Sequence, residues 1–337
     1  MRITTLAGGI GGARFLRGLL ALTAPAGAAS PEITVIGNTG DDLWIHGLRV
    51  CPDLDTVMYT LGGGISAERG WGREDETFTV REELAAYGVE PTWFGLGDRD
   101  IATHLVRTQA LEAGYALSEV TAALCERWKP GVTLLPMTDD RAETHVIVDD
   151  PAGGSDDNGE PLRVALHFQE WWVRYRASLP AHEIVLIGAE ESHPAPGVLE
   201  SIAQADVIVL PPSNPVVSIG TILQVPGIAD ALRATSAPVV GLSPIVGGAP
   251  VRGMADACLT AIGVETSAAA VAALYGARGT GGILDGWLVD TSDADAVPAV
   301  EALGIACRAV PLLMTDLDTT ARMAQDALDL ARAVTRP

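Results

Sequence analysis

Short runs of apolar, β-branched residues alternate along this chain with stretches whose apolar positions recur every three or four residues. Runs at 3–6, 33–36, 132–135, 183–187, 207–210, 239–242 and 284–289 predict strands. Several are apolar at consecutive positions, which suits strands covered on both faces, so they predict a mostly parallel sheet with helices on both sides. A helix is predicted over 13–22. Between residues 53 and 130 the pattern turns helical, with candidates at 54–61, 80–87, 101–113 and 118–128. The expected fold class is α/β, a Rossmann-like doubly wound sheet whose core spans 1–52 and 131–337 and carries a helical insertion at 53–130. Residues 149–161, rich in Asp, Gly and Asn, read as an exposed loop or hairpin tip and as the segment most prone to disorder.

Composition narrows the function. The 337 residues are 48% hydrophobic, enough for a large core, and no apolar run is long enough to span a bilayer. The amino terminus carries no basic region followed by an apolar stretch, so a cytoplasmic protein is expected. Cys51, Cys125, Cys258 and Cys307 are scattered, which suits reduced thiols better than a disulfide framework or a zinc site. With 43 acidic against 22 basic side chains, the net charge of −21 argues against nucleic acid as a partner. A phosphate ester would then need local positive charge from helix ends, a few arginines or a divalent metal.

The first strand runs directly into Gly8-Gly9-Ile10-Gly11-Gly12-Ala13-Arg14. Residues without Cβ admit a ligand close to the backbone, and the N–H groups opening the following helix favour an anion. The loop departs from the dinucleotide fingerprint, because Arg14 stands at the last glycine position, and no G-K-[ST] follows. In open α/β sheets ligands bind beyond the carboxyl ends of the strands. Four further predicted strands end in Asn38-Thr39-Gly40-Asp41-Asp42, Met137-Thr138-Asp139-Asp140, Ser213-Asn214-Pro215 and Ser243-Pro244-Ile245. Any one would be an ordinary capped turn. Five on one rim outline a site.

Gly8–Arg14, Asn38-Thr39-Gly40-Asp41-Asp42-Leu43-Trp44, Pro52-Asp53-Leu54-Asp55-Thr56-Val57, Leu96-Gly97-Asp98-Arg99-Asp100-Ile101-Ala102-Thr103-His104, His167-Phe168-Gln169-Glu170-Trp171-Trp172, Ser213-Asn214-Pro215 and Ser243-Pro244-Ile245 together resemble the 2-phospho-L-lactate transferase family of coenzyme F420 biosynthesis. Seven motifs in one order span nearly the whole chain. The first loop and helix look most like the actinobacterial branch, FbiA, rather than the archaeal branch, CofD. The resemblance implies a transferase of substituted phosphate groups. Its acceptor would be the ribityl hydroxyl of the deazaflavin Fo (7,8-didemethyl-8-hydroxy-5-deazariboflavin). Its donor would be enolpyruvyl- or lactyl-diphospho-5'-guanosine, with GMP leaving and dehydro-F420-0 or F420-0 as product. It also implies a homodimer, and an insertion that forms part of the deazaflavin site.

Such chemistry calls for Mg2+ on one or two carboxylates, donors for the leaving group and in-line placement of the hydroxyl. Asp53 and Asp55 are the expected catalytic pair and, with Asp41 and Asp42, the expected metal ligands. In an extended segment after Pro52 the side chains of 53 and 55 would point the same way. The other reading makes Asp53 the cap of a helix at 54–61, with Asp55 in its first turn. Gly9, Gly11 and Gly12 are expected near the diphosphate, with Asn38 and Thr39 beside them and Ser213, Asn214, Pro215, Ser243 and Pro244 suited to the nucleoside. Arg99 would clamp a phosphate or stack on the deazaflavin, or else pair with Asp98 or Asp100 at a helix start. His104 is open to a structural or a catalytic role. Trp44 and Trp71 would flank the deazaflavin, whereas Trp171 and Trp172 are expected in core or interface packing. Two other functions share the first loop: a nicotinamide dehydrogenase, and a non-catalytic nucleotide-sugar-binding regulator like the gluconeogenesis-factor proteins. An Asp-Asp-Gly-Gly-Ser-type stretch would mark the regulator, and here Asp41-Asp42 is followed by Leu43-Trp44.

Overall fold

The structure is a computed structural model that describes residues 1–22, 31–66 and 68–334. Small parts of the expected core and insertion, residues 23–30, 67 and 335–337, lie outside the described residues.

Seven parallel strands form the central sheet: β1 (Arg2–Ala7), β2 (Glu32–Gly37), β3 (Thr133–Pro136), β4 (Val207–Leu210), β5 (Val239–Leu242), β6 (Gly286–Val289) and β7 (Ala306–Ala309). Their spatial order is 3-2-1-4-5-6-7, so the chain reverses direction across the sheet between β1 and β4. Alternation along β4 shows why these runs are apolar throughout. Val207 and Val209 enter the cluster beneath one layer of helices, while Ile208 and Leu210 enter the cluster on the opposite face.

One face is covered by α1 (Gly9–Leu22), α2 (Pro52–Leu61), α5 (Leu117–Trp128) and the last helix, Leu317–Val334. Between α2 and α5 lie α3 (Thr79–Ala86) and α4 (Asp98–Glu112). Leu54, Val57 and Met58 of α2 and Val120 and Leu124 of α5 are buried in the same cluster as Phe15 and Leu16 of α1, so both helices are part of the sheet's cover. Ahead of α4, Leu96 closes a small cluster against the hairpin Leu43–Ile45 and Leu48–Val50.

The expected strand at 183–187 is a strand, but it belongs to a separate antiparallel sheet in which Glu143–Asp149 pairs with Arg163–His167 and Ala181–Ile187. Its residues are only half buried, as a sheet covered on one side requires. Residues 149–161 form the tip joining two of those strands, ordered by turns in which the Asp156 carboxylate accepts from the backbone of Asn158 and Glu160. The four cysteines are unpaired, and three of them are buried.

Candidate active site

β1 ends at Ala7 and α1 begins at Gly9, so the glycines form the first turn of the helix rather than a loop before it. This corrects the expected helix start at Ala13. At the reversal point, Gly11 lies against the loop after β4: a Cβ there would stand 2.3 Å from the Pro212 carbonyl oxygen. Only glycine lets the two strand ends close up in this way. Gly12 packs against Ala7 and Ser213, off the cavity wall.

Beside this turn, Asn38 at the end of β2 is fully buried, and its side-chain oxygen accepts from Gly40 N–H at 2.9 Å. Its amide nitrogen faces Asp53 at 2.9 Å, the Val217 carbonyl at 3.1 Å and Asp41 at 3.3 Å. Two hydrogens thus serve three acceptors. Burial raises the pKa of both carboxylates, and the charge of Asp53 raises Asp41 further; Asn38 pulls both back, and the Gly9 N–H pulls Asp53 back. The groups acting most strongly on the pair include no cation. Two buried carboxylates thus stand side by side at the glycine turn.

Asp53 and Asp55 do not point the same way. Pro52 opens α2 as a helix, so positions two apart lie on different sides of it. Asp53 faces Asn38 and the Gly9 turn, whereas Asp55 faces α4. There Arg107 holds it through both terminal nitrogens, with His104 Nδ1 at 3.7 Å. Burial pushes the Asp55 pKa up, and Arg107 and then His104 draw it down. Tyr59 donates to Asp100 at 2.6 Å, and Asp100 stands 3.4 Å from His104 Nε2. This buried network couples α2 to α4.

Asp42 is not beside Asp41 in function. It is fully buried and lies off the cavity wall, with Arg49 on one of its oxygens at 3.1 Å, so the structure does not bring it to the site where a metal was expected. Burial pushes its pKa up to about 7 against the pull of Arg49.

These elements enclose a cavity of about 710 Å³ at the carboxyl edge of the sheet. A volume of that order fits a small molecule or a nucleotide. Gly9, Gly11, Asp41, Asp53, Asp55, Ser213, Asn214, Ser243 and Pro244 line it. Several of their side chains are already engaged. Ser213 Oγ donates to the Gly8 carbonyl at 3.0 Å, Asn214 Oδ1 accepts from Val216 and Val217, and Ser243 Oγ donates to the Ile245 carbonyl. The capped-turn reading holds for these three. Thr39 is buried behind the wall, and Pro215 also lies off it. Arg99 is a correction too: its side chain is exposed and pairs with Asp75 at 3.8 Å, away from the cavity.

Among the aromatics, Trp71 lines the cavity, whereas Trp44 stands outside it and is exposed. Trp171 is core, with its indole N–H on the Leu179 carbonyl. Trp172, expected in packing, does pack against the Phe168–Trp171 cluster, stacking on Phe168 with ring planes 16° apart, and it also lines the cavity.

A family model described as 2-phospho-L-lactate transferase CofD matches residues 3–305. The chain belongs to the 2-phospho-L-lactate transferase family. It is a transferase, which sets aside the dehydrogenase and regulator readings. A Streptomyces coelicolor protein named phosphoenolpyruvate transferase is 67% identical over 99% of both chains. One from Thermobifida fusca is 65% identical over 98% of each. One from Mycolicibacterium smegmatis is 58% identical over 98% of this chain and 99% of its own. A crystal structure of a upf0052 family protein from Bacillus halodurans has the same fold, with a TM-score of 0.59 at 16% identity, covering 97% of this chain and 98% of that one.

Sequence reasoning missed part of the transferase cavity. Tyr59, Gln169, Ser218 and Met254 line it, as do Arg69 and Arg252 from segments outside every motif. Gln169 Nε2 lies 3.4 Å from Asp41, and only its place in the His167–Trp172 motif marked it. Among the described residues no helix is long and apolar enough to cross a membrane.

Proposed function

We propose that this transferase moves a phosphoenolpyruvyl group from enolpyruvyl-diphospho-5'-guanosine to the terminal ribityl hydroxyl of Fo, giving dehydro-F420-0 and GMP. The names of relatives at 58–67% identity support this donor over its lactyl counterpart. The observation that carries the reading is the Asp41–Asp53 pair beside the first turn of α1. It places two uncompensated carboxylates next to N–H groups that attract a diphosphate.

Those two carboxylates fit a hard divalent cation. They offer oxygen ligands, they repel each other without one, and an amide rather than an ammonium bridges them. Mg2+ held there by Asp41 and Asp53 would neutralise the diphosphate and the departing phosphate. The chain's own residues do the rest. Backbone N–H groups of the α1 turn beyond that of Gly9, which Asp53 holds, orient the diphosphate, and the apolar wall of Phe94, Leu96, Phe168 and Trp172 accommodates the deazaflavin. The hydroxyl oxygen bonds to the phosphorus that carries the enolpyruvyl ester, and the bond from that phosphorus to the bridging oxygen breaks. The electron pair leaves with GMP. The hydroxyl proton passes to a carboxylate oxygen of the Asp41–Asp53 pair that the cation would leave free, and then to water. Asp55, locked on Arg107, orders the wall instead of taking the proton.

The test is mass spectrometry of the protein with Fo and Mg2+, with enolpyruvyl- or lactyl-diphosphoguanosine supplied separately. Dehydro-F420-0 with equimolar GMP from the first donor is expected. No product from either donor would overturn the reading.

A further inference from the structure

Arg14 of α1, Arg69 of the turn after α2 and Arg252 of the loop following the short strand Ala249–Pro250 all reach the cavity. None of the three is in an ion pair among the described residues, and what sets them apart from other arginines without one is that they line the cavity. In a chain with 43 acidic and 22 basic side chains, positive charge kept apart from acids along a cavity wall marks a place for an incoming anion.

Two of the three come to one turn. The Arg69 guanidinium carbon lies 5.5 Å from the Trp71 ring and 5.6 Å from the Phe78 ring; its Nη2 donates to the Arg73 carbonyl, and its Nε is buried without a partner. On the neighbouring residue, Gly70, a Cβ would stand 2.6 Å from Arg252 Nη1. Gly70 has φ +75°, a backbone that favours glycine, and the missing side chain lets Arg252 lie against the turn that carries Arg69. Trp71, Met254 and Val251 supply apolar wall around the two cations, where charge–charge contacts are screened less than in open water.

We propose that Arg69 and Arg252 form a clamp for the carboxylate of the three-carbon acid in the donor. The inference rests on the transfer reading above and deepens it. The donor carries two phosphates and one carboxylate. The α1 turn, with the Asp41–Asp53 pair, provides for the phosphates, and a planar carboxylate needs forked N–H donors of its own. Such a clamp separates the donor from guanosine diphosphate, which has the same guanosine and two phosphates but no carboxylate.

The experiment is calorimetric titration of the full chain with Mg2+, using guanosine diphosphate and lactyl-diphosphoguanosine as probes, on wild type, Arg69→Gln, Arg252→Gln and Arg252→Lys. Each Gln variant should bind the lactyl compound about tenfold or more weakly, with guanosine diphosphate affinity within roughly twofold of wild type. Arg252→Lys, which keeps the charge but loses the fork, should fall between. Equal weakening of both probes would place the arginines on the diphosphate and overturn the clamp, as would no weakening of either. Should Arg69→Gln not fold, Arg252→Gln, changed on an exposed loop residue, decides alone. Wild type that binds both probes yet forms no product defeats the transfer reading while the calorimetry still judges the clamp; wild type that binds neither overturns both.

Discussion

Arg107 closes both terminal nitrogens on the carboxylate of Asp55, a residue 52 positions earlier, with Nη1 3.1 Å from Oδ2. Both are buried, so each neutralises the other where water cannot. Asp55→Ala leaves a guanidinium in the interior without its counter-charge, a loss of about 3–5 kcal/mol. The urea midpoint should fall accordingly, and Asp55→Asn, which keeps one acceptor, should lose less. An unchanged midpoint in Asp55→Ala would show that the pair does not support the fold. Any loss of transfer in this variant has to be measured against its folded fraction.

The Asp41–Asp53 pair makes the opposite prediction. Burial and mutual repulsion raise the folded-state pKa of Asp41 well above 3.8, and burial raises that of Asp53. Above pH 3.8 the folded protein therefore holds more protons at these sites than the unfolded chain. Their contribution to stability is full below that pH and is lost as pH rises through the raised values. Asp41→Asn should be more stable than wild type at pH 7 without metal, by on the order of 1 kcal/mol or more, and should lose that advantage near pH 4. Mg2+ should raise the melting temperature of wild type and leave the variant nearly unmoved, while transfer by the variant collapses. Equal melting curves for the two proteins across this pH range would remove the repulsion argument.

The main sheet was legible because parallel strands buried on both faces leave unbroken apolar runs, as at 207–210 and 239–242. The run at 183–187 shows the limit of that signal. Its side chains specify a strand, but the antiparallel partner Glu143–Asp149 is chosen by contacts between distant segments. The site shows the same division. The glycine turn, Asn38, Asp41 and Asp53 sit at strand or helix ends that local pattern locates. Pro52 carried a signal that outweighed the extended reading of 53 and 55, since proline favours the first position of a helix and so turns the two carboxylates apart. Arg49 on Asp42, Arg107 on Asp55 and Arg252 on Gly70 come from long-range packing that no local spacing announces.

Gly11 supplies a steric test of the reversal point. A methyl group at this position would meet the Pro212 backbone oxygen at 2.3 Å, and backbone on both sides leaves nothing flexible to yield. Gly11→Ala should lower stability by about 1–3 kcal/mol and weaken guanosine diphosphate binding, because it separates the β1 and β4 ends that shape the site. Gly279→Ala, where a Cβ meets nothing within 4 Å, should stay within about 0.5 kcal/mol of wild type. If the two variants melt alike, the close approach is not a constraint.

Trp172 bears on the acceptor half of the cavity. Its ring stacks on Phe168 with centroids 6.5 Å apart, and the pair presents a flat apolar face to the same space that the Asp41–Asp53 wall borders. A tricyclic deazaflavin placed there gains the dispersion and offset-stacking contacts that a narrow side chain cannot supply. Trp172→Ala should therefore raise KM for Fo about tenfold, with KM for the guanosine donor changed little, while the lost packing on Phe168 lowers the melting temperature. Trp172→Phe should recover most of the loss. Because Fo is fluorescent through its ring system, titration into each variant reads binding without turnover, and equal affinity in wild type and Trp172→Ala would move the deazaflavin to the Trp71 side of the cavity.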